Sequence, residues 1–181
     1  AYINRVFDEY PNSPSLDNFI LFYIDSFIEE ERYELVRDEA RKLIDRFIPP
    51  KQRRKSELYA QLYDYEKQAV FTLADLKYKK AEKLVTEKKL DDANQLFMEV
   101  AQDFQDYIDQ YLSLRNNPDE FANVMKFKAQ SYEAAGRPKL ANKVYKEFVD
   151  IFPSRTDSRA ILFRIAEIYK NSLDFDNNSI E

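Results

Sequence analysis

Two acidic runs, Glu29-Glu30-Glu31 and Asp91-Asp92, are of the residue type that serves as general acid and base. One cationic run, Lys51, Arg53, Arg54 and Lys55, is of the type that holds an anion. Carboxylates act as a catalytic pair only where their surroundings push their pKa values apart. These two runs fall where helices are expected to end and turn, and acids there are ordinarily solvated. No glycine-rich loop accompanies them to cradle a phosphate. The cations follow Pro49-Pro50 and admit two readings, a solvated loop or a docking patch for an acidic partner or phospholipid. Placed at a helix N-terminus they would oppose the helix dipole, a mild cost that argues for a role.

Other chemistry is excluded by residues the chain lacks. It contains no cysteine and no histidine. No thiolate nucleophile, disulfide or cysteine zinc site can form, nor an imidazole base, a Ser-His-Asp triad or a histidine-ligated metal. The Glu-x-x-His di-iron site is excluded with them. Carboxylate-only chemistry stays formally open. No catalytic residue, cofactor or metal is assigned.

The elements that position these residues follow from composition. The chain has 181 residues, 44% apolar and 34% charged, enough for one compact domain or one short solenoid. It has a single glycine, Gly136. Sheets need glycine in hairpin turns and bulges, and doubly wound folds need it beside phosphate. One glycine in this length points to long helices joined by polar or proline-containing turns. A formal charge of -5 is the wrong sign for a general nucleic-acid binder. No run approaches the ~18 apolar residues of a membrane span.

Internal repeats set the register. A helix from about Asp119 to Ala135 carries Phe121, Val124, Met125, Ala129 and Tyr132 at helical spacing. Gly136 supplies a left-handed stop, Pro138 suits a first helical turn, and a second helix carries Leu140, Ala141, Val144, Tyr145 and Phe148 up to Pro153. Antiparallel helices approach closely where small residues face each other, here Ala129 and Ala141, with Tyr132 and Tyr145 filling the space beside them. Ala81, Ala93 and Phe97 repeat the spacings of Ala129, Ala141 and Tyr145. Their turn, Glu87 to Asp92, lacks glycine, and Asp91 is expected to cap the following helix. Tyr10-Pro11 before Ile20-Leu21-Phe22-Tyr23-Ile24 matches Phe152-Pro153 before Ile161-Leu162-Phe163-Arg164-Ile165. Ser13-Pro14 is expected to open one of these helices, and Asp157 or Ser158 to cap the other.

Ala129, Tyr132, Gly136, Ala141, Tyr145 and Pro153 together resemble a tetratricopeptide repeat (TPR). Met125 stands at the family's tryptophan position and Lys128 at its helix-A leucine position. The interval between the two hairpins is 48 residues, against a family period of ~34. The excess is read as extension of a helix through Tyr107, Ile108, Tyr111 and Leu112 plus the Asn116-Asn117-Pro118 turn. The aromatic-proline ends and Ile165-Ala166-Glu167-Ile168-Tyr169 are similar in style to TPR proteins of the bacterial cell envelope, which implies envelope or periplasm rather than cytoplasm.

The resemblance implies an all-α fold, a right-handed α-solenoid of antiparallel hairpins. Its parts are partial, divergent repeats over 1–48, a long irregular repeat over 52–115, the best repeat over 119–153 and a partial repeat over 158–181. Helices are expected near 2–10, 15–31, 33–48, 52–88, 91–115, 119–135, 138–152 and 158–172. The stretch from Glu57 to Lys88 has no breaker and reads as one long helix, with a break near Ala74–Lys77 as the alternative. Ala1 to Tyr10 reads as half of a hairpin, and Leu173-Asp174-Phe175 as a turn whose second helix is missing. The natural protein is therefore expected to continue on at least one side.

In the resembled family the first helix of each hairpin lines a concave groove. Carried over, those positions are Asn123, Lys126, Gln130 and Glu133 in the best repeat, and Tyr78, Glu82 and Val85 in the Ala81 repeat. Some members grip a C-terminal carboxylate with lysine and asparagine. Here Lys126 fits, Gln130 replaces the asparagine and Ala160 stands where a second lysine is needed, which speaks against a clamp. The chain has 13 tyrosines and 14 phenylalanines, whose first reading is core packing. Tyr59 and Tyr63 share a face off the apolar stripe of their helix and are candidates for a binding surface. The function expected is a non-enzymatic scaffold or adaptor that holds a segment of another protein, with homo-oligomerisation possible. The alternative is a helical arm of a larger enzyme or envelope assembly. An RNA-binding helical repeat is a further reading that the net charge disfavours.

Overall fold

The computed structural model describes residues 2–11 and 13–178, with the side chains of Tyr2, Asn4 and residues 172–178 left aside. Every regular element among the described residues is helical. These are α1 (Tyr2–Glu9), α2 (Leu16–Glu29), α3 (Tyr33–Phe47), a 3-10 turn (Arg53–Lys55), α4 (Glu57–Thr86), α5 (Leu90–Tyr111), α6 (Pro118–Ala134), α7 (Pro138–Ile151) and α8 (Thr156–Asn178). None of the described helices is long and apolar enough to cross a membrane. The end of the 158–181 repeat, residues 179–181, lies outside the described residues, as does Ala1.

The stretch without a breaker is one helix of 30 residues, ~45 Å long, with no interruption at Ala74–Lys77. It starts later than the sequence predicts. Ser56 accepts a hydrogen bond on Oγ from the Tyr59 amide (3.1 Å) and so caps the helix, leaving Arg53, Arg54 and Lys55 in the preceding 3-10 turn and Lys51 before it. Two compact units, Ala1–Leu73 and Ala74–Glu181, divide within α4.

In the first unit Phe7, Ile20, Ile24, Val36, Ala40, Leu43, Ile44, Leu58 and Leu62 form a buried core. Phe7 of α1 meets the rings of Phe19, Tyr23 and Phe47 edge-on at 5.4–6.0 Å. Polar ties close the layer: the Tyr65 hydroxyl donates to Asp25 Oδ1 at 2.6 Å, and burial with that bond pushes its pKa up to about 12. In the second unit α5 packs on α6, α6 on α7 and α7 on α8. The C-terminal part of α4 joins α5 through the buried cluster of Ala81, Ala93, Phe97 and Ala135.

Three turns of identical length connect α2 to α3, α4 to α5 and α6 to α7, and each has a left-handed middle residue: Glu31 (φ 55°), Lys88 (φ 61°) and Gly136 (φ 67°). Each closes with the same pair of backbone bonds, one of them from Arg32 to Phe27, Lys89 to Leu84 and Arg137 to Tyr132 at 2.8–2.9 Å. This is the Schellman arrangement, which satisfies the carbonyls left open at a helix end. Only Gly136 adopts that backbone without steric cost. Lys88→Gly is therefore expected to stabilise the chain by about 1 kcal/mol, and Gly136→Ala to destabilise it by a similar amount although its Cβ would meet open space. Thermal melts of the two variants should move in opposite directions.

The same register places buried residues seven before and five after each middle residue: Ile24 and Val36, Ala81 and Ala93, Ala129 and Ala141. The α2–α3 hairpin thus repeats the other two with larger residues at the crossing. Nine after the middle residue it has small Ala40 where the others have Phe97 and Tyr145.

Several local expectations are corrected. Lys89, not Asp91, is the N-cap of α5; Asp91 and Asp92 lie in its first turn, where carboxylates complement the dipole. α5 stops at Tyr111 because Ser113 turns the chain, its carbonyl accepting from Asn116 and Asn117. Ser13 Oγ accepts from the Ser15 amide (3.3 Å) in the turn before α2 rather than capping the helix itself. Leu173-Asp174-Phe175 is no turn, since α8 runs through it.

Candidate functional site

A cleft of about 660 Å³ opens within the second unit. One face of α6 supplies Lys126, Gln130, Glu133 and Ala134, and α8 supplies Asp157, Ala160, Ile161 and Arg164. Tyr78 of α4 and Tyr145 of α7 complete the lining. The α6 residues recur at i, i+4 and i+7, and so do Asp157, Ile161 and Arg164, so each helix turns one stripe toward the opening.

The two stripes are tied at both ends. Lys126 Nζ lies 2.6 Å from Asp157 Oδ2, and Arg164 bonds the Glu133 carboxylate. Both pairs span 31 positions, which sets α6 and α8 running in the same direction with their charges in opposite order. Arg155 adds a second bond to Asp157 (3.2 Å) and also holds Asp119. Hydrogen bonds from Lys126 and then Arg155 hold the Asp157 carboxyl below its ordinary value. Asp157 therefore does not cap α8 through its side chain as the sequence predicts. Ser158 does not either: it is buried, and its hydroxyl donates to the Phe152 carbonyl (2.5 Å).

Between the bridges lie Gln130, Ala160 and Ile161. The Tyr145 hydroxyl donates to Glu133 Oε2 (3.2 Å), and the Tyr78 ring packs edge-on against Phe97 at 5.0 Å. Burial above all pushes both phenols up, with Glu82 adding for Tyr78 and Tyr78 for Tyr145, so they are neutral donors at physiological pH. The four charges of the lining cancel in pairs. No group in the cleft is arranged as a nucleophile with an adjacent base.

Of the residues assigned from sequence, Tyr78, Lys126, Gln130 and Glu133 come together in this cleft. Asn123, Glu82 and Val85 are exposed and lie outside its lining. Lys126 is committed to Asp157, which removes the charge a carboxylate clamp would use. Tyr59 and Tyr63 lie in the first unit, apart from the cleft lining. They are half-buried against the first unit's core, their rings stacked at 5.8 Å, with Arg53 over Tyr59. The basic patch is split: Arg53 bonds Asp45 (2.7 Å) and the Ile48 carbonyl, while Lys51, Arg54 and Lys55 are exposed. Sequence reasoning missed Asp157, Arg164 and Tyr145 as lining residues. The matching 31-residue offsets of opposite charges were the available signal.

No family model matches the chain, and no curated protein or solved structure matches it either.

Proposed function

We propose that this chain is a non-catalytic binding module, a TPR-like stack of helical hairpins that holds an uncharged stretch of another protein in the α6–α8 cleft. The stacked reading rests on the three identical left-handed turns and on the packing of consecutive helices in the second unit. The binding reading rests on one observation: the cleft's charges are neutralised internally, leaving an exposed amide, Gln130, between two tyrosines and an aliphatic wall. A glutamine side chain donates and accepts, as a peptide unit does, and the rings supply contact area at low entropic cost. Such a site selects main chain and apolar side chains rather than a charged group.

The test is selection of a random peptide library on the immobilised chain. Peptides with an aromatic or aliphatic anchor should be enriched, and their affinity should fall at least tenfold on Ala160→Trp or Gln130→Trp. Both positions are exposed on the lining, so helicity should be retained. Affinity should change little between low and high salt, because no unpaired charge is engaged. Binders indifferent to both substitutions would place the function elsewhere.

A further inference from the structure

α8 repeats α6 at an offset of 37 residues, and the repeat is covered on one side only. Val124 and Ser131 of α6 are buried, and so are their counterparts Ile161 and Ile168 of α8; these faces lie on the preceding helices, α5 and α7. The face of α6 toward α5 is marked by the Phe104–Phe127 stack at 5.7 Å, and the face toward α8 by Lys126–Asp157. Between them runs the stripe Met125, Ala129, Tyr132, which α7, joined through the Gly136 turn, is placed to cover. Met125 is 4% exposed and Ala129 is fully buried. The corresponding stripe of α8 is Leu162, Ala166, Tyr169. There Leu162 is 53% and Tyr169 46% exposed, Ala166 is exposed, and Phe163 beside them is 69% exposed.

The shape and the charge of this stripe define what fits it. A methyl-sized residue between larger ones at i, i+4 and i+7 is the relief onto which a helix packs closely. Arg159 and Lys170 are exposed on the same face, seven before and four after Ala166. Lys146 of α7 adds a third cation at the rim, its Nζ 2.6 Å from the Tyr169 hydroxyl and 5.0 Å from the ring centroid. Glu167 is turned aside and bonds Arg164 (2.8 Å). A second copy of α8 laid on this face would bring like charges together. We propose that the Leu162–Ala166–Tyr169 stripe docks an acidic amphipathic helix of another protein, on the side of α8 away from the cleft.

α7 supplies the probe, because it is the helix that covers the equivalent stripe of α6. A fluorescein-labelled peptide with the Pro138–Ile151 sequence and Lys139→Glu, Lys143→Glu and Lys146→Glu is compared by anisotropy with its unsubstituted parent. The acidic peptide should bind the 181-residue chain at least tenfold more tightly than the parent. Leu162→Gln with Ala166→Gln should lower that affinity at least tenfold while leaving circular dichroism and melting unchanged, since glutamine favours helix. Gln130→Trp in the cleft should leave it unaltered, which separates this surface from the other one. The proposal is overturned by absence of acidic-peptide binding, by equal affinity of the two peptides, or by indifference to the double substitution. Dimerisation of the free chain, or pelleting with phosphatidylserine vesicles, would also overturn it if the double substitution abolished either one, by naming a second copy or a lipid surface as the occupant.

Discussion

Replacing Phe7 with alanine is expected to remove about 3–5 kcal/mol from the stability of the first unit. Phe7 is buried at the meeting of Phe19, Tyr23 and Phe47, and Arg46 lies over its ring at 5.6 Å while pairing with Asp8. α1 has only eight residues, too few to persist without packing. Truncation leaves a cavity and also takes away the anchor that fixes α1. Total stabilities of domains are about 5–15 kcal/mol, so the loss should be visible as a large drop in the urea midpoint. Proteolysis should open first between α1 and α2. A midpoint within experimental error of the parent chain would mean that α1 is not held by this ring cluster.

Enlarging Ala129 to isoleucine is expected to cost about 1–3 kcal/mol by overpacking. Ala129 is fully buried, as is Ala141, its counterpart across the Gly136 turn, so nothing can yield without moving a helix. The control is in the chain itself: Ala166→Ile occupies the matching position of α8, which is exposed, and should stay within about 0.5 kcal/mol of the parent. The α2–α3 hairpin shows how the cost can be offset, because it carries Ile24, Val36 and Ala40 in the register where α6–α7 carries Ala129, Ala141 and Tyr145. Ala129→Ile with Ala141→Val and Tyr145→Ala should therefore be more stable than Ala129→Ile alone, a coupling that thermal melts of the series would measure. A triple variant less stable than the single one would show that the two hairpins do not share a packing rule.

The same register explains what could be read from the sequence. The helices were legible because period-3.6 stripes, prolines and one glycine left few alternatives, and the Ala129/Ala141 and Ala81/Ala93 positions stood out by size. The α2 and α3 helices were expected, but the likeness of their hairpin to the other two was hidden because its volume is distributed the other way round and because Glu31 accepts a backbone that residue preferences assign to glycine. Lys126 and Gln130 were assigned to a groove through the resemblance to a tetratricopeptide repeat, and both lie on the lining of the α6–α8 cleft. That Lys126 is already paired could not be read, because Asp157 is 31 residues away and only the packing of α7 between them sets the offset. The half-burial of Tyr59 and Tyr63 was not legible for a related reason: a wheel counts angles, whereas the amount of neighbouring structure decides how far a half-facing ring is covered.

The uniform three-residue turns also bear on how the chain assembles. Ile24 and Val36, Ala81 and Ala93, and Ala129 and Ala141 are each only twelve positions apart, so every pair can meet by closing a short loop. On a ribosome the first pair would be complete before the last had been synthesised, and within the second unit α6 and α7 would find α5 already made to settle against.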